Sequence, residues 1–345
     1  MTALLEARNV GKTFGGGLFD KVSTVALRDF SLGIESEPPS ILAVVGESGS
    51  GKTTLARLLL GLVTPTVGQV LYRGTDLRKL SGTQRRQFLR DVQVIFQDPY
   101  EVYNPFYYVD HVLMTPVRKF KLASSDSEIR SLIEETLRAV GLRPDETLGR
   151  YPHQLSGGQR QRIMVARALL IRPRIIIADE PVSMVDASLR ATILGSLKEL
   201  NQAFGISLIY ITHDLTTAYQ ISENIVVLYR GSVAEVGDVE KVVGDPMHPY
   251  TRLLVGSVPL PDPDKQWHGE PPPSEEAQRA GATPHDGCAF AARCPNAMQI
   301  CREARPPLYQ LDDYRAAACY LYMGQPEISA DELGKVMVPP AMPVS

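Results

Sequence analysis

Gly46-Glu47-Ser48-Gly49-Ser50-Gly51-Lys52-Thr53 stands between an apolar run, Ile41-Leu42-Ala43-Val44-Val45, and a segment with Leu55, Leu58, Leu59 and Leu62 at helical spacing. Strand, glycine loop and helix in that order predict an α/β chain. Glycines let a backbone fold around a phosphate chain with its N–H groups turned inward, which side-chain-bearing residues resist. The helix that follows adds about half a positive elementary charge at its N-terminus. Lys52 is then placed to reach the β- and γ-phosphates, and the Thr53 hydroxyl, with Thr54 beside it, to complete a Mg²⁺ shell. The stretch predicts a site for a nucleoside triphosphate.

Bulk properties narrow the setting. At 345 residues the chain has room for roughly two domains. Apolar residues make up 44% and charged residues 22%, an ordinary balance for a globular protein, and the net charge of −3 does not favour nucleic acid as a partner. Met1-Thr2-Ala3-Leu4-Leu5-Glu6 lacks the basic start and apolar centre of a signal peptide, and no apolar run reaches the ~20 residues of a membrane helix. A cytoplasmic chain is expected, with any membrane role exercised through a partner.

Working outward, residues 3–14 read as a strand ending at Phe14, and Val25 to Ile34 as a second. Phe14 fits equally a core position or an aromatic that stacks on an adenine ring. Gly68 to Tyr72 and Val92 to Phe96 read as further strands, the latter ending at Gln97. Asp98-Pro99 and the aromatic run Tyr100 to Tyr108 suggest a hinge into a helical insertion up to Arg172-Pro173. Within it, Leu155-Ser156-Gly157-Gly158-Gln159 opens a helix and offers a second anion-binding N-terminus. Ile175-Ile176-Ile177-Ala178 reads as a buried parallel strand ending in Asp179-Glu180. Ligands of open α/β sheets sit at the carboxyl ends of strands, and two adjacent carboxylates there are costly to bury without a function. Asp179 suits Mg²⁺, and Glu180 suits the activation of an attacking water. Ile206 to Thr212 is another central strand, with His213 at its end where an imidazole N–H can bond a γ-phosphate. Val226 to Tyr229 and Ser232 to Val236 form a hairpin that is expected to end the sheet.

The phosphate loop, Gln97, Leu-Ser-Gly-Gly-Gln, Asp179-Glu180, the Met184-Val185-Asp186 turn and His213 occur in the order found in ABC-type ATPase subunits, which the chain resembles over about residues 3–240. That resemblance implies an ABC-type nucleotide-binding domain: a RecA-like sheet core, an antiparallel β subdomain and an inserted helical subdomain at about 98–172. It also implies two such units closing on two ATP molecules, each held by one chain's phosphate loop and by Ser156, Gly157, Gly158 and Gln159 of the other, with Asp186 at the contact. Gln97 would join the γ-phosphate and Mg²⁺ to the helical lobe; Lys52, Gln97, Glu180 and His213 would be the catalytic set. Asp245-Pro246-Met247-His248-Pro249-Tyr250-Thr251 and the segment around Cys288 and Cys294 resemble the C-terminal extension of dipeptide/oligopeptide importer ATPases. The expected division is 1–250 for the ATPase domain and 251–345 for a small Cys-containing extension, with a Pro-rich, loosely ordered end beyond Tyr320. Two departures from the family pattern, Val102-Tyr103-Asn104-Pro105 and Met184-Val185-Asp186, leave the carboxylate and Asn-Pro in place.

All four cysteines, Cys288, Cys294, Cys301 and Cys319, lie in one segment, separated by five, six and seventeen residues. Four thiolates can hold Zn²⁺ or a [4Fe–4S] cluster, and a reducing compartment disfavours disulfides. The tight pairs of a zinc ribbon are missing, and the resemblance implies the iron–sulfur cluster, with zinc second. The implied assembly adds a related, non-identical ATPase chain, two transmembrane permease subunits and, through them, an extracytoplasmic solute-binding protein, with the chain on the cytoplasmic face of the membrane. An ABC ATPase acting on nucleic acid or ribosomes is the rival reading; the single motif set, mild acidity and importer-type tail argue against it.

Overall fold

The computed structural model describes residues 3–15, 23–35, 37–97, 103–183, 187–258 and 287–339. Two sheets organise them. A four-stranded antiparallel sheet is ordered β2 (Ser23–Ile34), β1 (Leu5–Gly15), β4 (Val67–Tyr72), β5 (Thr75–Asp76). A larger sheet is centred on β3 (Ile41–Val45), which lies parallel between β8 (Ser207–Thr212) and β9 (Asn224–Tyr229). On the β8 side it continues through parallel β7 (Ile175–Asp179) to β6 (Val92–Ile95).

Every residue of β3, β7, β8 and β9 is buried, which is why these strands read as unbroken apolar runs. The period of two divides them between two cores. Ile41, Ala43, Val45, Ile176, Ala178, Ile225 and Val227 face a layer built largely of helices. Leu42, Val44, Ile175, Ile177, Val226 and Leu228 face α1 (Lys52–Leu59) and the antiparallel sheet.

The helical insertion follows β6 and the loop after it: α3 (Val109–Phe120), α4 (Asp126–Ala139) and α6 (Gly157–Leu169), with the single turn α5 (Pro144–Thr147) before α6. Helix α4 starts where the Ser125 hydroxyl accepts the Glu128 N–H, and buries Ile129, Ile133 and Leu137 at four-residue intervals. Two bonds tie this lobe to the main sheet and its following loop. The Tyr103 hydroxyl donates to the Arg160 carbonyl at 2.7 Å, and Arg167 Nη2 donates to the Val94 carbonyl at 2.7 Å.

The hairpin of β9 and β10 (Ser232–Asp238) forms as expected, with Arg230 and Gly231 both left-handed in its turn. It does not end the sheet. β12 (Arg315–Ala317) pairs antiparallel with β10, β11 (Leu308–Asp312) with β12, and β13 (Glu327–Ile328) with β11, making nine strands. An open edge on β10 would leave backbone N–H and C=O groups unpaired, and the C-terminal strands supply their partners. The expected loose order beyond Tyr320 also fails over 327–339. A 3₁₀ helix, Ala330–Val336, buries Leu333 and Val336 in the core shared with β2, because apolar side chains three apart fall on one side of such a helix. Leu333→Ala should cost about 2–4 kcal/mol. A denaturant midpoint unchanged from the parent would show that this segment does not pack.

Candidate active site

Register assembles the site. Val45 pairs with Thr212, and Asp179 with Ile211, so β3, β7 and β8 end at nearly one level. The next residues, Gly46, Glu180 and His213, therefore emerge together at the carboxyl edge. Over them opens a cleft of about 720 Å³ whose lining includes Phe14, Ser48, Gly49, Lys52, Thr53, Gln97, Glu180 and His213. Thr24, Val25 and Ala26 of β2 and Leu254 also line it, and no motif in the sequence marked them.

Steric room makes the loop glycine-rich. A Cβ on Gly46 would lie 2.2 Å from the Leu228 carbonyl oxygen, and one on Gly51 2.4 Å from that of Ala26. Both residues have positive φ, 154° and 108°. The Lys52 ammonium donates to the Gly46 carbonyl at 2.6 Å and to the Glu47 carbonyl at 3.0 Å. Burial pulls its pKa below the ordinary lysine value, while Glu180, Asp179 and Glu47 oppose the shift. Three carboxylates around one buried ammonium favour its charged form against that burial.

Asp179 shows the reverse. Burial first, then the Glu180 charge, push its pKa up, and Lys52 and the adjacent Thr53 hydroxyl oppose this. Its Oδ1 is buried without a hydrogen-bond partner among the described residues. A carboxylate beside a threonine hydroxyl with an unsatisfied buried oxygen fits a hard cation that takes oxygen ligands. The residues present thus suit Mg²⁺.

Glu180 Oε2 accepts from Gln97 Nε2 at 3.2 Å and lies 3.1 Å from His213 Nδ1. The three residues come from the ends of different strands, and their side chains meet at one oxygen. Glu180 holds φ at 47°, a left-handed conformation uncommon outside glycine, with its N–H bonded to the Ile211 carbonyl. Phe14 is not a core residue: it is 44% exposed at the rim of the cleft, with Lys12 Nζ 4.9 Å from its ring centroid.

The Leu-Ser-Gly-Gly-Gln stretch stands apart. Ser156 caps α6 by accepting the Gln159 N–H at 3.2 Å, while Gln159 Oε1 accepts the Ser156 N–H at 2.9 Å. Ser156 is exposed, and neither it nor Gly157, Gly158 and Gln159 lines the cleft. One chain does not bring this helix start to its own phosphate loop. Asp186 lies outside the described residues, as do Met184, Val185 and the hinge residues 98–102.

The metal reading of the cysteines is overturned. Among the described residues, no group of three or more His, Cys, Asp or Glu side chains could hold a metal ion. The iron–sulfur cluster and its zinc alternative, assigned to Cys288, Cys294, Cys301 and Cys319, are withdrawn. Burial pushes up the thiols of Cys288 and Cys294, and that of Cys319 to about 11, which favours the neutral thiol over the thiolate a metal needs. Cys301 packs with Ala291, Tyr309 and Tyr320, and Cys288 borders that cluster. Cys288 and Cys294 also pack against the helix-side core. Clustering along the chain reported their shared module, whose α11 (Gln299–Glu303) contains Cys301.

Comparison with known proteins agrees with this geometry. The family described as "ABC transporter" matches residues 27–183, and "Oligopeptide/dipeptide transporter, C-terminal region" matches 234–301. The putative oligopeptide transport ATP-binding protein YkfD of Bacillus subtilis is 42% identical over 81% of this chain and 84% of its own length. The oligopeptide transport ATP-binding protein OppF of Haemophilus influenzae is 38% identical over 92% of this chain and 96% of its own. Among solved structures, the ATP-binding cassette MJ0796, as a dimer in a post-hydrolysis state with ADP and Pi, superposes with a TM-score of 0.60 at 30% identity, over 68% of this chain and 98% of that one. The chain belongs to the ABC transporter ATP-binding proteins, in the group that carries the oligopeptide/dipeptide transporter C-terminal region.

Proposed function

We propose that the chain is the ATP-hydrolysing subunit of an importer for oligopeptides or dipeptides, with residues 1–250 as the ATPase domain and 251–345 as the Cys-containing extension. The observation that carries this is the meeting of Gln97, Glu180 and His213 above the phosphate loop, in a chain whose relatives are named for peptide transport.

The adenine stacks on Phe14, and the phosphates lie along Gly46–Thr54 with Lys52 against the β- and γ-groups. Mg²⁺, when bound, offsets phosphate charge, and Thr53, Asp179 and Gln97 would hold it. Glu180 takes the proton of the attacking water, while His213 and Gln97 fix its carboxylate and bond the γ-phosphate side. Ser156, Gly157, Gly158 and Gln159 of a second ATPase chain, related but not identical, complete the site, with Asp186 at the contact. Closure is favoured by nucleotide because only the closed pair offers both halves of the site. Two permease subunits receive the motion at the helical lobe, through Gln97 and the Tyr103–Arg160 bond, and an extracytoplasmic binding protein delivers the peptide. The permeases are the proposed point of attachment; among the described residues no helix is long and apolar enough to cross a membrane.

The test is reconstitution of the chain with its partner ATPase, permeases and binding protein in vesicles. A labelled tripeptide should accumulate only with MgATP. ATP-driven uptake of nickel or an oligosaccharide, with none of the peptide, would refute the substrate class.

A further inference from the structure

The phosphate loop is held from the far end of the chain. Arg293, in the loop between Cys288 and Cys294, donates from Nη1 to Glu47 Oε2 at 2.9 Å and from Nη2 to Glu47 Oε1 at 3.1 Å. The hydroxyl of Tyr250, in α10 (Pro249–Gly256), accepts the Glu47 N–H at 2.8 Å. Glu47 is thus gripped by side chain and by backbone, both times by residues of the C-terminal region. Its carbonyl, in turn, accepts from Lys52 Nζ and from the Ser50 N–H. Whatever fixes Glu47 fixes the peptide that orients the lysine.

The grip is itself braced. Tyr250 is fully buried, its ring 4.4 Å from that of Tyr229 and 5.5 Å from that of Phe290 by centroids. The Arg293 guanidinium lies 5.9 Å from the Tyr229 ring centroid and 5.6 Å from that of Phe290, with its side chain only 12% exposed. Bidentate Arg–carboxylate pairing adds direction to charge, with the arginine buried and the Glu47 carboxylate 38% exposed. A loop that must present several N–H groups to phosphates loses binding when a single peptide turns.

We propose that Arg293 and Tyr250 are positioning residues for MgATP binding, by which the C-terminal region at 234–301 sets the shape of the phosphate loop through Glu47. The inference rests on the reading of Gly46–Thr53 as the phosphate site. Neither residue is among those that line the cleft; both act through Glu47. The extension is then part of the ATPase, and a shift of the Phe290–Arg293 turn is felt at Lys52.

Assembled transporter in vesicles, with MgATP as the varied substrate, provides the test. Arg293→Met should raise KM for MgATP by about fivefold with kcat changed less than about twofold. Glu47→Gln should do the same, and Glu47→Gln with Arg293→Met should be no worse than either alone, since both remove one pairing. Arg293→Lys, which keeps the charge without the fork, should recover part of the loss. Tyr250→Phe keeps the buried ring but removes the acceptor, and should raise KM further when added to Arg293→Met. A purely structural role predicts lower thermal midpoints at parental KM, and that result overturns the proposal, as does full additivity of the Glu47 and Arg293 changes. Lys52→Met separates the two readings: if it weakens MgATP binding about a hundredfold while Arg293→Met keeps the parental KM, the positioning role alone falls. Parental affinity in Lys52→Met overturns both.

Discussion

Glu180→Gln is expected to leave nucleotide binding within about twofold of the parent and to lower ATP turnover by at least roughly a hundredfold, the usual span for a lost general base. The amide has nearly the same shape, and Glu180 is only 15% exposed, so the replacement sits where the carboxylate sat. Its oxygen can still accept from Gln97 Nε2, which keeps the three-residue meeting point intact. What it cannot do is take a proton from water. Lys52, Thr53 and the loop glycines are unchanged, so ATP binds and the closed pair persists. Phosphate release in single turnover, with equilibrium binding of a fluorescent ATP analogue alongside, separates the two quantities. Turnover within tenfold of the parent would move the base to another residue.

Lys52→Met is expected to weaken MgATP binding by about 3 kcal/mol, or roughly a hundredfold, the worth of one or two charge-assisted hydrogen bonds. Methionine matches the length of the lysine stem and suits a buried position, Lys52 being 5% exposed. Losing the ammonium leaves the Gly46 carbonyl without its donor and Asp179 with only the more distant Arg57 charge, and among the described residues that line the cleft there is no other Lys or Arg. The fold should survive, because burial already works against the charged form of this lysine. Calorimetric titration with MgATP reads the change directly. Parental affinity in this variant would show that the phosphates lie elsewhere.

The contrast between what could and could not be read from the chain follows from distance. Ile41–Val45 and Ile175–Ala178 announce buried parallel strands because both faces are covered, and ligand residues at the ends of such strands follow from the topology. Glu180 and His213 were legible for that reason, although nothing local says that their side chains meet within 3.1 Å. Phe14 stayed ambiguous until its exposure was known, since an aromatic at a strand end looks the same in core and rim. The hairpin at Arg230-Gly231 was legible, but not the strands added beyond it. β11 and β12 are short and half-polar, and a strand of three to five residues carries little period. The cysteines misled because proximity in sequence resembles a ligand set, whereas their burial favours thiols. Arg293 could not be foreseen. Its partner Glu47 lies 246 residues away, and one arginine between two cysteines has no local signature.

The pairing of β10 with β12 bears on how such subunits can be recombined. Glu235, Val236 and Gly237 pair with Ala317, Ala316 and Arg315, so the strands within 308–317 are stitched into the same hydrogen-bonded ribbon as β9 and β3. A hybrid spliced after residue 250, with a foreign tail lacking a matching strand, would leave β10 as a bare edge open to another molecule. Tail exchange between sister ATPases would need to move β10 and its mate together, or the product should clump.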